Sequence, residues 1–183
     1  MSGHVDSDPF WSVVRRRHPD LDIVVLPPAP PRPAESGGPL RAPEPFAEAH
    51  LAQAHAVWAE IIGHRMPQST PKCTTRWIPG PTRDAVRHTA TLTIDDVDGA
   101  SGLEHLNGVP EPLIADRWRV FAPPTGMPRI TADRDGDASD GDLGDEHLLI
   151  GYAPEARRLF ARLTSAGIPV GVPRAQQLTG GRT

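Results

Sequence analysis

Residues 27–45, PPAPPRPAESGGPLRAPEP, limit what this chain can fold into more than any other stretch, because eight of the nineteen are proline. Proline lacks an amide hydrogen and fixes φ, so such a run passes through neither a helix interior nor a central strand. The expectation is an extended, semi-rigid spacer. It divides the chain into an N-terminal arm (1–26), the linker (27–45) and one domain (46–178). The glycine-rich tail, 179–183, is expected to be disordered.

The arm reads as a helix and a strand. Asp8 suits an N-cap and Pro9 the first helical position. Phe10, Val13 and Val14 recur at helical spacing, and Arg15, Arg16 and Arg17 fall where the helix dipole favours cations. LDIVVL, 21–26, is a β-branched run of strand length. An arm this small does not fold alone. Its apolar side chains Phe10, Trp11, Val13, Val14, Ile23 and Val25 are therefore the predicted contacts with a partner protein or a second copy of the chain. Aromatic anchors and added strands are common means of such contact.

The domain reads as α+β. A helix over 45–63 carries Phe46, Ala54, Val57, Trp58, Ile61 and Ile62 on one broad stripe. CTTRWI (73–78), HTATLTI (88–94), RWRVFA (117–122) and PRITA (128–132) are strand candidates. The second alternates cleanly, as a half-buried antiparallel strand does. Ser101 and Glu104 suit a capping box on a short helix ending at Gly108. LLIGY is read as a strand, PEARRLFARLTSAG as a helix over 154–166 and IPVGV as a strand. The expected body is an antiparallel or mixed sheet packed on the 45–63 and 154–166 helices. An α/β sheet built on a C-terminal βαβ unit is the alternative.

Composition narrows the function. The chain has 183 residues, enough for one core, and a net charge of −4. That balance argues against a nucleic-acid partner, which selects a basic surface. Lys72 is the sole lysine beside eighteen arginines, a bias expected of a G+C-rich genome such as an actinobacterium's. Cys73 stands alone, so no intrachain disulfide forms. It is expected as a small buried strand residue. No apolar run is long enough for a signal sequence or a membrane span, so no membrane insertion and a cytoplasmic location are expected.

DRDGDASDGDLGDE, 133–146, holds seven acids in fourteen residues. A helix–loop–helix calcium site needs oxygens at loop positions 1, 3 and 5, Gly at 6 and Glu at 12. Counting from Asp133 puts Ala138 at 6 and Gly144 at 12; placing Gly136 at 6 puts Thr131 at 1 and Asp142 at 12. Both frames fail. Clustered like charge with Gly and Ser is the composition of a solvated connection. Weak Ca²⁺ or Mg²⁺ binding, with no other cofactor, would follow if Asp133, Asp135 and Asp137 met the second acidic loop, Asp95 and Asp98. A small divalent-cation-dependent enzyme is the alternative function on that basis.

Other chemistry is poorly supplied. His50, His55, Glu60 and His64 scatter around the long helix, and HEXXH is absent. They are expected to face solvent or pack partly. Glu146 and His147 are adjacent on a strand and point to opposite faces. There is no phosphate loop, nucleophile elbow or CxxC. A helix start near Tyr152–Glu155 would favour an anion but for Glu155 itself. The reading that follows is a non-catalytic binding or adaptor module that makes its contact through the arm.

Overall fold

The computed structural model describes residues 13–14, 16–17, 35–63, 70–136 and 142–180. The chain divides into two compact units, Met1–Pro31 and Arg32–Thr183. In the smaller, Val13, Val14, Arg16 and Arg17 are helical, as expected. Phe10, Trp11, Ile23 and Val25 lie outside the described residues.

The larger unit runs α1 (Pro43–Ile61), β1 (Lys72–Pro79), β2 (Ala85–Ile94), α2 (Gly99–Asn107), α3 (Pro110–Ala115), β3 (Arg119–Phe121), β4 (Arg129–Asp135), β5 (Asp145–Ala153), β6 (Arg158–Thr164), β7 (Ile168–Pro169) and α4 (Val172–Leu178). The strands form one seven-stranded sheet in the order β1-β2-β6-β5-β4-β3, with β7 paired to β2. Every described pairing is antiparallel. The fold is α+β, and the βαβ alternative is set aside.

Period-two patterning builds the covered face. On β2, Ala90, Leu92 and Ile94 enter the core; on β6, Leu159, Ala161 and Leu163; on β5, Leu148, Ile150 and Tyr152. α1 lays Ala54, Trp58 and Ile61 over them, and Ile62 just beyond its end is fully buried. Burying a side chain of this size contributes roughly 1.5–3 kcal/mol. α1 begins at Pro43, two residues before the expected start. Pro43 and Pro45 occupy its first turn, where a missing amide hydrogen costs nothing. Asp98 caps α2 by accepting from the Ser101 amide at 3.0 Å, and Gly108 ends it. α2 reaches the sheet because Gly102 has no side chain: a Cβ there would lie 2.5 Å from the Tyr152 ring.

The expected 154–166 helix is absent. Pro154–Arg157 is a tight turn, with the Arg157 amide donating to the Pro154 carbonyl at 3.1 Å and Arg157 at φ 48. The chain then returns as β6 between β2 and β5. RLFARLT carries apolar residues at both spacings, Leu159/Ala161/Leu163 and Leu159/Phe160/Leu163. Pairing on both sides selects the first. The expected IPVGV strand shortens to Ile168–Pro169, and α4 begins at Val172.

β6 and β7 are one strand interrupted by a bulge. Thr89 faces Thr164 and Val86 faces Ile168, so two residues of β2 oppose three of the other strand. Ser165 fills the irregularity. Its hydroxyl accepts from the His88 amide at 3.0 Å and donates to the Ala166 carbonyl at 2.7 Å. Gly167 then exchanges backbone hydrogen bonds with Leu143, at 2.7 and 2.9 Å.

Candidate functional site

The two acidic stretches sit at opposite ends of the sheet. Asp95 and Asp98 follow Ile94, which faces Leu159 beside the β5–β6 turn. Asp133 and Asp135 lie at the far end, opposite His147 and Asp145. They also lie on β4 itself, so the acidic stretch starts inside a strand rather than in a connection. The convergence that shared cation binding would require does not occur between Asp95 or Asp98 and Asp133 or Asp135, and among the described residues no three His, Cys, Asp or Glu are grouped to hold a metal. Asp137 lies outside the described residues.

Asp95, Asp98, Asp133 and Asp135 each already have partners. Asp95 accepts from Lys72 at 2.8 Å and from Arg158 at 2.7 Å, and these two bonds hold its carboxyl below the usual range. Asp98 is held low by the Ser101 hydroxyl and amide. Arg119 bridges Asp135 and Asp145 at 2.8 and 2.9 Å. These carboxylates are neutralised by cations or used as caps, the opposite of a vacant cation cage.

The face turned away from the helices carries the other half of the alternation. One row across it reads Arg119, Asp133, His147, Thr164, Thr89 and Arg76 in register. Asp133 binds the His147 ring at Nδ1 in a short contact, with both side chains nearly half exposed. The Thr89 and Thr164 hydroxyls lie 3.4 Å apart. Glu146, one residue away, turns to the covered side and takes Arg134 at 2.7 Å, so Glu146 and His147 do diverge. The Asp133–His147 pair was hidden in the sequence because two residues fourteen positions apart meet only through the β4–β5 register.

On the covered face, His50 of α1 meets His88 of β2, Nδ1 to Nδ1, at 2.9 Å. Each is 3% exposed. Burial, with the neighbouring His88 as a lesser cause, pushes the His50 pKa down to about 4, and burial lowers that of His88. Both rings are therefore neutral near pH 7, one donating and one accepting. Trp77 lies 4.8 Å from His88 and Phe46 6.1 Å from His50, ring centre to ring centre. His50 is thus fully packed in the interior, where a solvent-facing or partly packed ring was expected. His55 and Glu60 are exposed, and His64 lies outside the described residues.

A recess of about 440 Å³ is lined by Asp116, Arg117, Arg134 and Asp135. Its centre is spoken for. Arg134 stacks 4.5 Å over Trp118 and pairs with both Asp116 and Glu146. Cys73 is exposed on β1 rather than buried, because β1 is the edge of the sheet. Partial burial raises its thiol pKa, so it is not an activated nucleophile.

No family model, curated protein or solved structure matches the chain. Function therefore rests on the side chains. Asp133 can orient His147 for proton transfer, but among the described residues no nucleophile is bonded to the ring. The largest uncommitted feature is backbone. β1 carries eight residues paired on one side only among the described residues, and its first five are exposed. No described helix is long and apolar enough to cross a membrane.

Proposed function

We propose that the chain is a non-catalytic protein-binding module, contacting a partner protein or a second copy through its N-terminal arm. The observation that carries this reading is the division into two compact units at Pro31. The core clusters among the described residues are drawn wholly from the larger unit, from Phe46 to Leu178. The arm's sequence carries the apolar residues Phe10, Trp11, Val13, Val14, Ile23 and Val25, and Val13 is 41% exposed. Apolar side chains on a separate unit, joined by a proline spacer, suit capture of another chain. The pairing of the acids with arginine, lysine and helix caps supports binding over cation-dependent catalysis.

Native mass spectrometry of the full chain, purified gently from its host, tests this. The expected result is a homodimer or a complex with a second protein. The double substitution F10D/W11D should release it while leaving the circular dichroism and melting temperature unchanged. A lone monomer at micromolar concentration would sink the reading. A monomer carrying one Ca²⁺ or Mg²⁺ would turn it toward the cation-dependent enzyme.

A further inference from the structure

We propose that the open face of the sheet docks an extended acidic segment of a partner protein, one that carries apolar side chains between its carboxylates. This surface is independent of the arm. The four described helices all pack on the other face: α1, α2 and α3 reach the main core, and α4 the Val86–Ile168 cluster. The chain just ahead of α1 is held at the β7 end of the sheet. There the Ser36 amide and hydroxyl donate to the Asp84 carboxylate, at 3.0 and 2.7 Å, and the Arg41 amide donates to the Pro169 carbonyl. Phe121, on the open face, is 61% exposed.

Charge selects the occupant. The acids of this face are already met: Asp133 by His147, Asp135 and Asp145 by Arg119, and Asp95 by Lys72 and Arg158. Arg76, Arg87, Arg129 and Arg162 point to the same side and meet no carboxylate among the described residues. Arg162 Nε instead donates to the Thr91 hydroxyl at 3.3 Å, and Arg129 to the Thr125 and Met127 carbonyls at 3.3 and 3.1 Å. Neutral acceptors leave the charge in place. The face therefore keeps an unmatched positive potential, although the chain as a whole carries −4.

Register sets the spacing. Arg76, Arg162 and Arg129 stand on β1, β6 and β4, each two strands across and two residues along from the last. Strands about 4.8 Å apart and residues about 3.4 Å apart make each step roughly 12 Å. In an extended segment, carboxylates four residues apart share a side and lie about 13 Å apart, which matches this diagonal. The residue midway between them points the same way. Between Arg162 and Arg129 it meets an apolar floor. Phe160 reaches across β5, where a Cβ on Gly151 would lie 2.6 Å from its ring and 3.3 Å from the Met127 methyl group. Leu149 stands two residues along β5 on the same side, directly opposite Arg162. Aromatic rings, methionine and arginine are the side chains that mark interface cores.

A nucleic acid is the poorer fit. It presents a phosphate at every nucleotide, and so would press on Asp95, Asp133, Asp135 and Asp145 as well as on the arginines. Leu149 and Met127 give a base no ring to stack on. Discrete carboxylates alternating with apolar side chains match both the charged and the apolar parts of the surface.

The test is fluorescence anisotropy of the full chain with the labelled peptide Glu-Ser-Phe-Ser-Glu-Ser-Phe-Ser-Glu. The parent should bind it, and R129E/R162E should weaken binding about tenfold with circular dichroism and melting temperature unchanged. R174E, on α4, should change binding by less than about twofold. R76E/R129E/R162E should reverse the preference and take Lys-Ser-Phe-Ser-Lys-Ser-Phe-Ser-Lys instead, which separates charge matching from damage to the fold. F10D/W11D should leave peptide binding as it is, so that this surface and the arm contact fail separately. No binding by the parent at about 1 mM peptide would overturn the proposal. So would equal binding to the parent and R76E/R129E/R162E, or equal binding of a peptide with serine in place of both phenylalanines. Oligo(dT) bound in preference to the peptide, and lost with the same arginines, would give the face to a nucleic acid.

Discussion

His88 and His147 lie two strands apart in nearly the same row of the sheet, on opposite faces, and they are held in opposite ways. His88 is buried against a second neutral histidine beneath α1, and burial lowers the pKa of both rings. His147 is half open to solvent and takes a carboxylate, Asp133, from the next strand. The face, not the residue type, decides the role. Under the helices a histidine serves as a packed ring with one polar bond to satisfy. On the open side it serves as the hydrogen-bond partner of a carboxylate, where solvent screening leaves little net energy.

The sharpest way to break the contrast is to truncate one side chain on each side. Tyr152→Ala, on the covered face, loses a fully buried ring and its 2.9 Å bond to the Val97 carbonyl. It should cost about 4 kcal/mol in urea unfolding. Leu149→Ala, on the open face, should cost about 1 kcal/mol or less. Equal costs would mean that the open face is as well packed as the covered one.

Acid should separate the histidines next. An unfolded histidine titrates near 6.5, while His50 in the fold titrates at about 4. Between those values the unfolded chain binds the extra proton, so stability falls as pH falls. The loss from pH 7 to 4 should be about 3 kcal/mol, and His88 adds in the same direction. Asp95 and Asp98 are held below the usual carboxylate range, so their contributions are lost only at lower pH. His50→Phe should flatten the curve between 6.5 and 4. An unchanged slope would show that another group carries it. Smallest of all, His147→Ala and Asp133→Asn should each change stability by about 0.5 kcal/mol or less at 0.15 M salt. A cost above about 2 kcal/mol would mark the open-face pair as buried in solution.

The sequence reads well where one pattern is possible. HTATLTI alternates and nothing else, and β2 forms as expected. Trp58, Ile61 and Ile62 fix the buried stripe of α1. The reading fails where two periods coexist. Leu159, Phe160, Ala161 and Leu163 satisfy helix and strand alike, and only flanking strands choose between them. Short α3 and α4 were not visible, because six or seven residues give too little periodicity. Site geometry was the least legible. The placement of Asp95 and Asp133 at opposite ends, and the pairing of His50 with His88, depend on register and strand order, which single residues do not carry.

The Ser36–Asp84 bonds have a mechanical consequence. Together with the Arg41 amide's 2.7 Å bond to the Pro169 carbonyl, they pin the chain before α1 begins. A load drawn along the spacer therefore enters at the β1–β2 turn and the end of β7. It is shared across a paired sheet, where several bonds resist together, and α1 is shielded from being peeled off the core one turn at a time.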